Sequence, residues 1–129
     1  MAHYKSFESL QVYQEAVVCC DEIWKIIINT SLSKDYKLRE QINGSSGSVM
    51  DNIAEGFGRG GNKEFIMLLC YSRGSCCESK AQLLRAYNRK HITKEVFEKL
   101  NSVANNLIDQ LSKFINYLKK SNKKGAKFD

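Results

Sequence analysis

Apolar residues recur at steps of three and four positions through four long stretches, and no proline interrupts the 129 residues. This is the period of an α-helix, because residues three and four apart lie on the same helix face. The pattern predicts helices over residues 10–30, 36–57, 63–90 and 94–120. Short polar or glycine-rich connections separate them, so the expected fold is an all-α, up-down-up-down four-helix bundle.

The length and the charge distribution favour one domain followed by a basic tail. Residues 1–120 are enough for a single sizeable core, whereas residues 121–129 are too polar to pack and are predicted to be disordered. The net charge of +6 is unevenly placed. Residues 1–84 hold 9 basic and 10 acidic side chains, but the last eleven residues hold 5 basic and 1 acidic. The excess charge therefore lies near the end of the third helix and in the tail.

Glycine and serine fill the middle of the second predicted helix, over residues 44–48. Each glycine costs a helix about 1 kcal/mol relative to alanine, but the apolar period continues in phase through this segment. We therefore expect it to be helical, with small residues that let a neighbouring helix come close. Gly74, in the middle of the third helix, is expected to mark a similarly close helix crossing.

The first helix has more apolar surface than one bundle core requires. One apolar line, expected to face the core, consists of Tyr13, Ala16, Val17, Cys20, Ile23, Trp24 and Ile27. A second line, at seven-residue spacing, consists of Val12, Cys19 and Ile26. We predict that the second line contacts another subunit. The alternative is that this helix is simply more deeply buried.

The most specific stretch carries polar and small residues that plain packing does not require. It reads Asn52-Ile53-Ala54-Glu55-Gly56-Phe57-Gly58-Arg59, then Glu64-Phe65, then Arg73-Gly74-Ser75-Cys76-Cys77-Glu78. This pattern resembles the four-helix-bundle proteins encoded in intervening sequences of bacterial 23S rRNA, which are described as ribosomal-protein-like. The accessory variability proteins of diversity-generating retroelements are similar in fold and pattern. The resemblance runs from about Tyr4 to Ile92, and it implies a homopentamer with a nucleic-acid partner.

The polar members of this motif are interpreted as a structural network. They are Asn52, Glu55, Gly56, Arg73, Gly74 and Glu78. Buried charges are costly unless they are paired, so we expect a Glu55–Arg73 or an Arg59–Glu78 ion pair. Glu55 and Glu78 could also act as a catalytic carboxylate pair, but no histidine lies near them in sequence.

Clustered basic residues predict contact with nucleic-acid phosphates. The proposed contacts are Arg85, Arg89 and Lys90 at the end of the third helix, and Lys119, Lys120, Lys123 and Lys124 in a mobile arm. The alternative is that the first group complements the helix dipole and the second only improves solubility. Arg59, in the glycine-rich turn before the third helix, is a candidate for holding one phosphate. The turn matches GxGxxG, but a dinucleotide site needs a preceding strand and none is predicted.

Other function classes find no support in the sequence. No segment reads as a secretory signal or a membrane span, and five cysteines without such a signal favour free thiols in the cytoplasm. We interpret the cysteines as small apolar packing residues. Adjacent cysteine pairs do not have CxxC spacing, and neither His3 nor His91 belongs to a recognisable triad, so we expect no metal, cofactor, small-molecule substrate or catalysis. The preferred hypothesis is a self-associating bundle that presents basic surface to structured RNA or a ribonucleoprotein. The alternative is a protein–protein adaptor without nucleic-acid binding.

Overall fold

Four long helices account for most of the protein in a computed structural model that describes residues 4–121. They are α1 (Gln11–Asn29), α2 (Tyr36–Gly58), α3 (Asn62–Asn88) and α4 (Lys94–Ser121). Two short 3₁₀ helices, Phe7–Ser9 and Ser31–Lys34, precede α1 and α2. No strand occurs within residues 4–121, and the all-α prediction is confirmed. The predicted tail lies almost wholly outside the described residues.

Side-chain contacts show that α3 runs in the opposite direction to both α4 and α2. The rings of Phe65 and Phe114 lie 5.6 Å apart, and those of Tyr87 and Phe97 lie 5.1 Å apart. A residue early in α3 thus contacts a residue late in α4, and a residue late in α3 contacts one early in α4, so these two helices are antiparallel. Ser45 of α2 meets Ser79 of α3, while Val49, later in α2, meets Ser72, earlier in α3. These are the contacts that an up-down-up-down bundle makes.

The fourth helix supplies the most regular line of core residues. Its buried side chains, spaced by three or four residues, are Leu100, Ala104, Leu107, Leu111, Ile115 and Leu118. They join the buried residues of the other three helices in one hydrophobic cluster. None of the helices within residues 4–121 has the length and apolar character needed to cross a bilayer.

The glycine- and serine-rich middle of α2 is helical, as predicted. Its serines face α3: Ser45 Oγ lies 2.8 Å from Ser79 Oγ and 2.6 Å from Gln82 Oε1. One turn further on, Ser72 of α3 donates a hydrogen bond of 2.7 Å to the carbonyl oxygen of Val49. All of these side chains except that of Val49 are polar and buried, so their hydrogen bonds offset the cost of removing them from water. Small hydroxyls therefore join α2 to α3.

The glycine that marks the close approach of two helices is Gly56, and the expectation for Gly74 is wrong. A Cβ atom added to Gly56 would lie 2.8 Å from Phe65 Cδ1 and 3.0 Å from Leu68 Cβ. A Cβ atom added to Gly74 would meet nothing within 4 Å, because this residue is exposed on α3. Gly74 lies on the solvent side of α3. Its spacing from other small residues in the sequence resembles a line of helix contacts, although none is made there.

The expected orientation of α1 also needs correction. Val12 and Cys19 are 5% and 4% exposed and belong to the core, while Ile26 is half-buried against it. The large apolar side chains of α1 left outside are Val18, Trp24 and Ile28, which are 50%, 49% and 53% exposed. Ala16, Ile23 and Ile27 of the line predicted to face the core are buried, as expected. The core-facing side of α1 thus combines these three residues with Val12 and Cys19.

Candidate nucleic-acid interface

The two connections at one end of the bundle lie side by side and gather a group of basic residues. One connection joins α1 to α2, and the other joins α3 to α4. Arg89 Nη1 donates to Asp35 Oδ2 at 2.8 Å, and Arg85 Nη1 donates to Gln41 Oε1 at 3.0 Å. These bonds hold the end of α3 against the start of α2. We call this end, residues 31–37 with residues 85–95, the basic end.

His91 connects the two chain segments of the basic end. Its Nε2 lies 2.9 Å from Asp35 Oδ2, and its Nδ1 lies 2.7 Å from Ser31 Oγ. A carboxylate only accepts hydrogen bonds, so Nε2 carries the proton in the neutral ring and Ser31 donates to Nδ1. The hydrogen bonds from His91 and then from Arg89 hold the pKa of Asp35 below its usual value. Asp35 is therefore charged and engaged near neutral pH.

His91 links Ser31 and Asp35 in a serine–histidine–aspartate chain of hydrogen bonds, which we call the relay. Spacing in the sequence does not reveal it, because 60 residues separate Ser31 from His91. Within the described residues, the relay nevertheless lacks an obvious oxyanion hole. The two amides that follow Ser31 are occupied: Leu32 N–H donates to Thr30 Oγ1 and Ser33 N–H to the Thr30 carbonyl oxygen. We interpret the relay as a structural link.

Four lysines of the basic end remain available to a ligand. Lys34, Lys37, Lys90 and Lys94 are exposed and make no ion pair within the described part of the chain. Lys90 has φ of 65°, a left-handed conformation that ends α3. Arg85 and Arg89, predicted as the main phosphate contacts, instead bind Gln41 and Asp35. Arg85 and Arg89 therefore hold the end of α3 against the start of α2.

The other predicted basic residues lie at the opposite end of the bundle. Lys119 and Lys120 are in the last turn of α4, whereas the basic end adjoins its first turn. Twenty-five helical residues separate Lys94 from Lys119, which is about 38 Å at 1.5 Å per residue. Residues 85–90 and the described part of the arm therefore do not form one continuous site. Lys123 and Lys124 lie outside the described residues.

The glycine-rich turn gives little support to a phosphate site at Arg59. Arg59 forms an ion pair with Glu55 one helical turn earlier. The Glu64 carboxylate folds back toward Gly61, since its Oε1 lies 2.7 Å from the position of a Cβ added there. A carboxylate at the start of α3 already meets the positive end of the helix dipole and repels an anion. Asn62 begins α3 as a buried residue whose side-chain amide has no hydrogen-bond partner among residues 4–121.

The remaining motif residues do not form the expected network. Glu55 pairs with Arg59, while Arg73 donates to Ser112 Oγ of α4 at 3.1 Å. Asn52 donates to the carbonyl oxygen of Ser48 within α2. Glu78 is exposed on α3, so the predicted Glu55–Arg73 and Arg59–Glu78 pairs are both wrong. The other polar side chains of the motif thus make hydrogen bonds or ion pairs within their own helix, or one hydrogen bond to another helix, rather than a shared network.

Two surface clefts carry no recognisable catalytic chemistry. The larger, about 450 Å³, has Lys113 as its one charged lining residue within the described range. The smaller, about 270 Å³, lies beside Trp24 and Ile28 and includes the Arg39–Glu40 ion pair. Among residues 4–121, no three histidine, cysteine or acidic side chains lie close enough together to hold a metal ion.

The cysteines are free thiols with different environments. Burial raises the pKa of Cys19 to about 11 and that of Cys76 to about 12. These two side chains pack in the core, as expected. Cys77 is exposed, so it does not fill the predicted packing role.

Comparisons with known proteins address the family directly. The model of the 23S rRNA-intervening sequence protein family matches residues 8–113. A crystal structure of a protein of unknown function from the S23 ribosomal protein family of Bacteroides thetaiotaomicron is similar, with a TM-score of 0.73 and 22% identity. The match covers 81% of this chain and 97% of that one, and at this identity it shows the fold alone. No curated protein matches the chain. The chain belongs to the 23S rRNA-intervening sequence protein family.

Proposed function

We propose that the protein is a non-enzymatic bundle that presents its basic end to structured RNA or a ribonucleoprotein. The observation that carries this proposal is the composition of the basic end, which holds six basic and two acidic side chains. One of the two acids, Asp35, is already bound by Arg89 and His91. The surface charge left for a partner is therefore strongly positive, which favours a polyanion.

The family supports an RNA partner through its name, which links it to 23S rRNA. The similar crystal structure belongs to a family named for a ribosomal protein. Binding through phosphates is expected to be electrostatic and weakly sequence-specific, because phosphate contacts position a protein but do not read bases. Free thiols agree with action in the cytoplasm.

The test is fluorescence anisotropy with folded RNA at several salt concentrations. The triple substitution Lys34→Glu, Lys37→Glu and Lys90→Glu should abolish most of the binding. It should also reduce the salt dependence by about 0.9 units of log–log slope for each phosphate that the variant no longer binds. The lysines are better targets than Arg85 and Arg89, whose substitution would also break bonds inside the protein.

The opposite end provides the matched control. Lys119→Glu with Lys120→Glu changes exposed lysines on α4 and should weaken binding less, since those residues would contribute only through a separate contact. A greater reduction of affinity in this control would place the RNA site at the other end. Absence of salt-sensitive binding at low ionic strength would exclude the RNA hypothesis.

We also propose that the protein self-associates, and the exposed apolar side of α1 supports this. Trp24 and Ile28 lie one turn apart, with half-buried Val17 on the same side of the helix. This surface replaces the line of Val12, Cys19 and Ile26 as the expected interface. The resemblance to the family implies five subunits, so a homopentamer remains the prediction for light scattering.

Two substitutions separate the interface from the core. Trp24→Glu with Ile28→Glu should dissociate the assembly while helical circular dichroism persists, because both side chains are already exposed in the single chain. Val12→Glu should reduce helicity, because it places an unpaired charge in the core. A wild-type monomer in solution would refute self-association. The same apolar surface favours the alternative function, a protein–protein adaptor, if RNA binding fails.

A further inference from the structure

Tyr36 is an aromatic side chain displayed at the basic end. It is 67% exposed, the highest value among the exposed large hydrophobic residues of the described chain. Arg39 lies over one face of the ring, with Cζ 5.0 Å from the ring centroid. The guanidinium group is held in place by the Ser33 carbonyl oxygen at 2.9 Å and by Glu40 at 3.2 Å. The ring is thus supported on one side and accessible to solvent.

Unpaired lysines lie in the chain segments next to this ring. Lys34 and Lys37 flank it in sequence, and Lys90 lies between Arg89 and His91, the two residues that bind Asp35 next to Tyr36. Of the nearby carboxylates, Asp35 binds those two residues and Glu40 binds Arg39. Glu95 is the other acidic residue of the basic end, and within the described residues none of the three lysines forms an ion pair with it or with any other carboxylate.

We propose that Tyr36 stacks on an unpaired nucleobase while Lys34, Lys37 and Lys90 contact the adjoining phosphates. This inference rests on the proposed function and names its ligand class, a single-stranded stretch of nucleic acid such as a loop or a bulge. Bases inside a duplex are already stacked and cannot reach an exposed ring, whereas unpaired bases can.

The composition around Tyr36 favours nucleic acid over a protein partner. The centre of a protein–protein interface is depleted of lysine, because burying an ammonium group is costly. Aromatic rings with free basic residues beside them are instead the arrangement that binds single strands, since the ring meets the base and the cations meet the phosphates. The exposed apolar side of α1 at Trp24 and Ile28 has no comparable group of unpaired lysines within the described residues.

The test compares a short labelled oligouridylate with a strand of the same length that lacks bases. Wild-type protein should bind the base-containing strand about 10-fold more tightly, the effect of roughly one stacked base. Tyr36→Ala should weaken binding to oligouridylate by about that factor and leave binding to the abasic strand unchanged. Tyr36→Phe and Tyr36→Trp should retain binding. Tyr71→Ala, at another exposed tyrosine on α3, is the matched control and should have no effect.

Two results would overturn the inference while leaving the proposed function intact. In the first, Tyr36→Ala binds oligouridylate as well as the wild type does. In the second, its affinity falls equally for both strands, which would show that the ring only supports the charged surface. If wild-type protein binds no RNA at low ionic strength, both proposals fail. Circular dichroism should show that the variant is folded, because the side chain of Tyr36 is exposed and its removal leaves the core unchanged.

Discussion

Substituting alanine for two helical glycines tests the packing of α2 against α3. Gly56 and Gly74 are both inside long helices, so each alanine should gain about 1 kcal/mol from helix propensity. At Gly74 nothing lies within 4 Å of the added Cβ atom, so the gain is retained. At Gly56 the same atom would lie 2.8 Å from Phe65 Cδ1. The two variants therefore differ mainly in one steric conflict.

Phe65 has little room to relieve this conflict. It is fully buried, and its ring packs edge-on against Phe57 at 6.2 Å and Phe114 at 5.6 Å. Leu68 Cβ, 3.0 Å from the added atom, can move only with the backbone of α3. Overpacking of this kind costs about 1–3 kcal/mol. We therefore expect Gly56→Ala to be less stable than Gly74→Ala by about 1–3 kcal/mol, or about 4–12 °C in Tm.

The measurement is urea and thermal denaturation followed by far-UV circular dichroism, with all variants at one protein concentration because self-association shifts apparent stability. Adding Phe65→Leu to each variant provides a double-mutant cycle. The smaller side chain should reduce the cost of Gly56→Ala but not alter the gain at Gly74. If Gly56→Ala is as stable as Gly74→Ala, the close contact between α2 and α3 is refuted.

Three further predictions concern single groups. Asp35→Asn should lower Tm at neutral pH, and the difference from wild type should shrink as pH falls below about 4. The reason is that the lowered pKa of Asp35 contributes stability only while the carboxylate is charged. A difference in Tm that is the same at all pH values would contradict this. Asn62→Leu should raise the free energy of unfolding by about 1 kcal/mol in urea titrations, since the buried amide makes no hydrogen bond within residues 4–121. Destabilisation by this substitution would show that the Asn62 amide has a hydrogen-bond partner. In the folded protein Cys77 should react with a thiol reagent, whereas Cys19 and Cys76 should react only in urea, because burial both shields them and raises the pKa of each thiol.

Local pattern determined the helices of this protein. The apolar period and the absence of proline predicted the four helices to within two residues at every end, including the glycine-rich middle of α2. Helix formation depends on neighbours within about four positions, so a single sequence carries this information. The family motif was also readable, because it is a string of residues rather than a geometry.

The tertiary structure decided which faces and ends meet. The apolar arc of α1 is wide enough for two orientations, and only packing against α2 and α4 placed Val12 in the core and Trp24 outside. Gly56 and Gly74 look alike in sequence, but helix rotation buries one and exposes the other. His91 meets Ser31 and Asp35 across more than fifty residues, and α4 separates two groups of lysines by its whole length. Contacts between distant residues depend on how helices rotate and cross, which local periodicity does not encode.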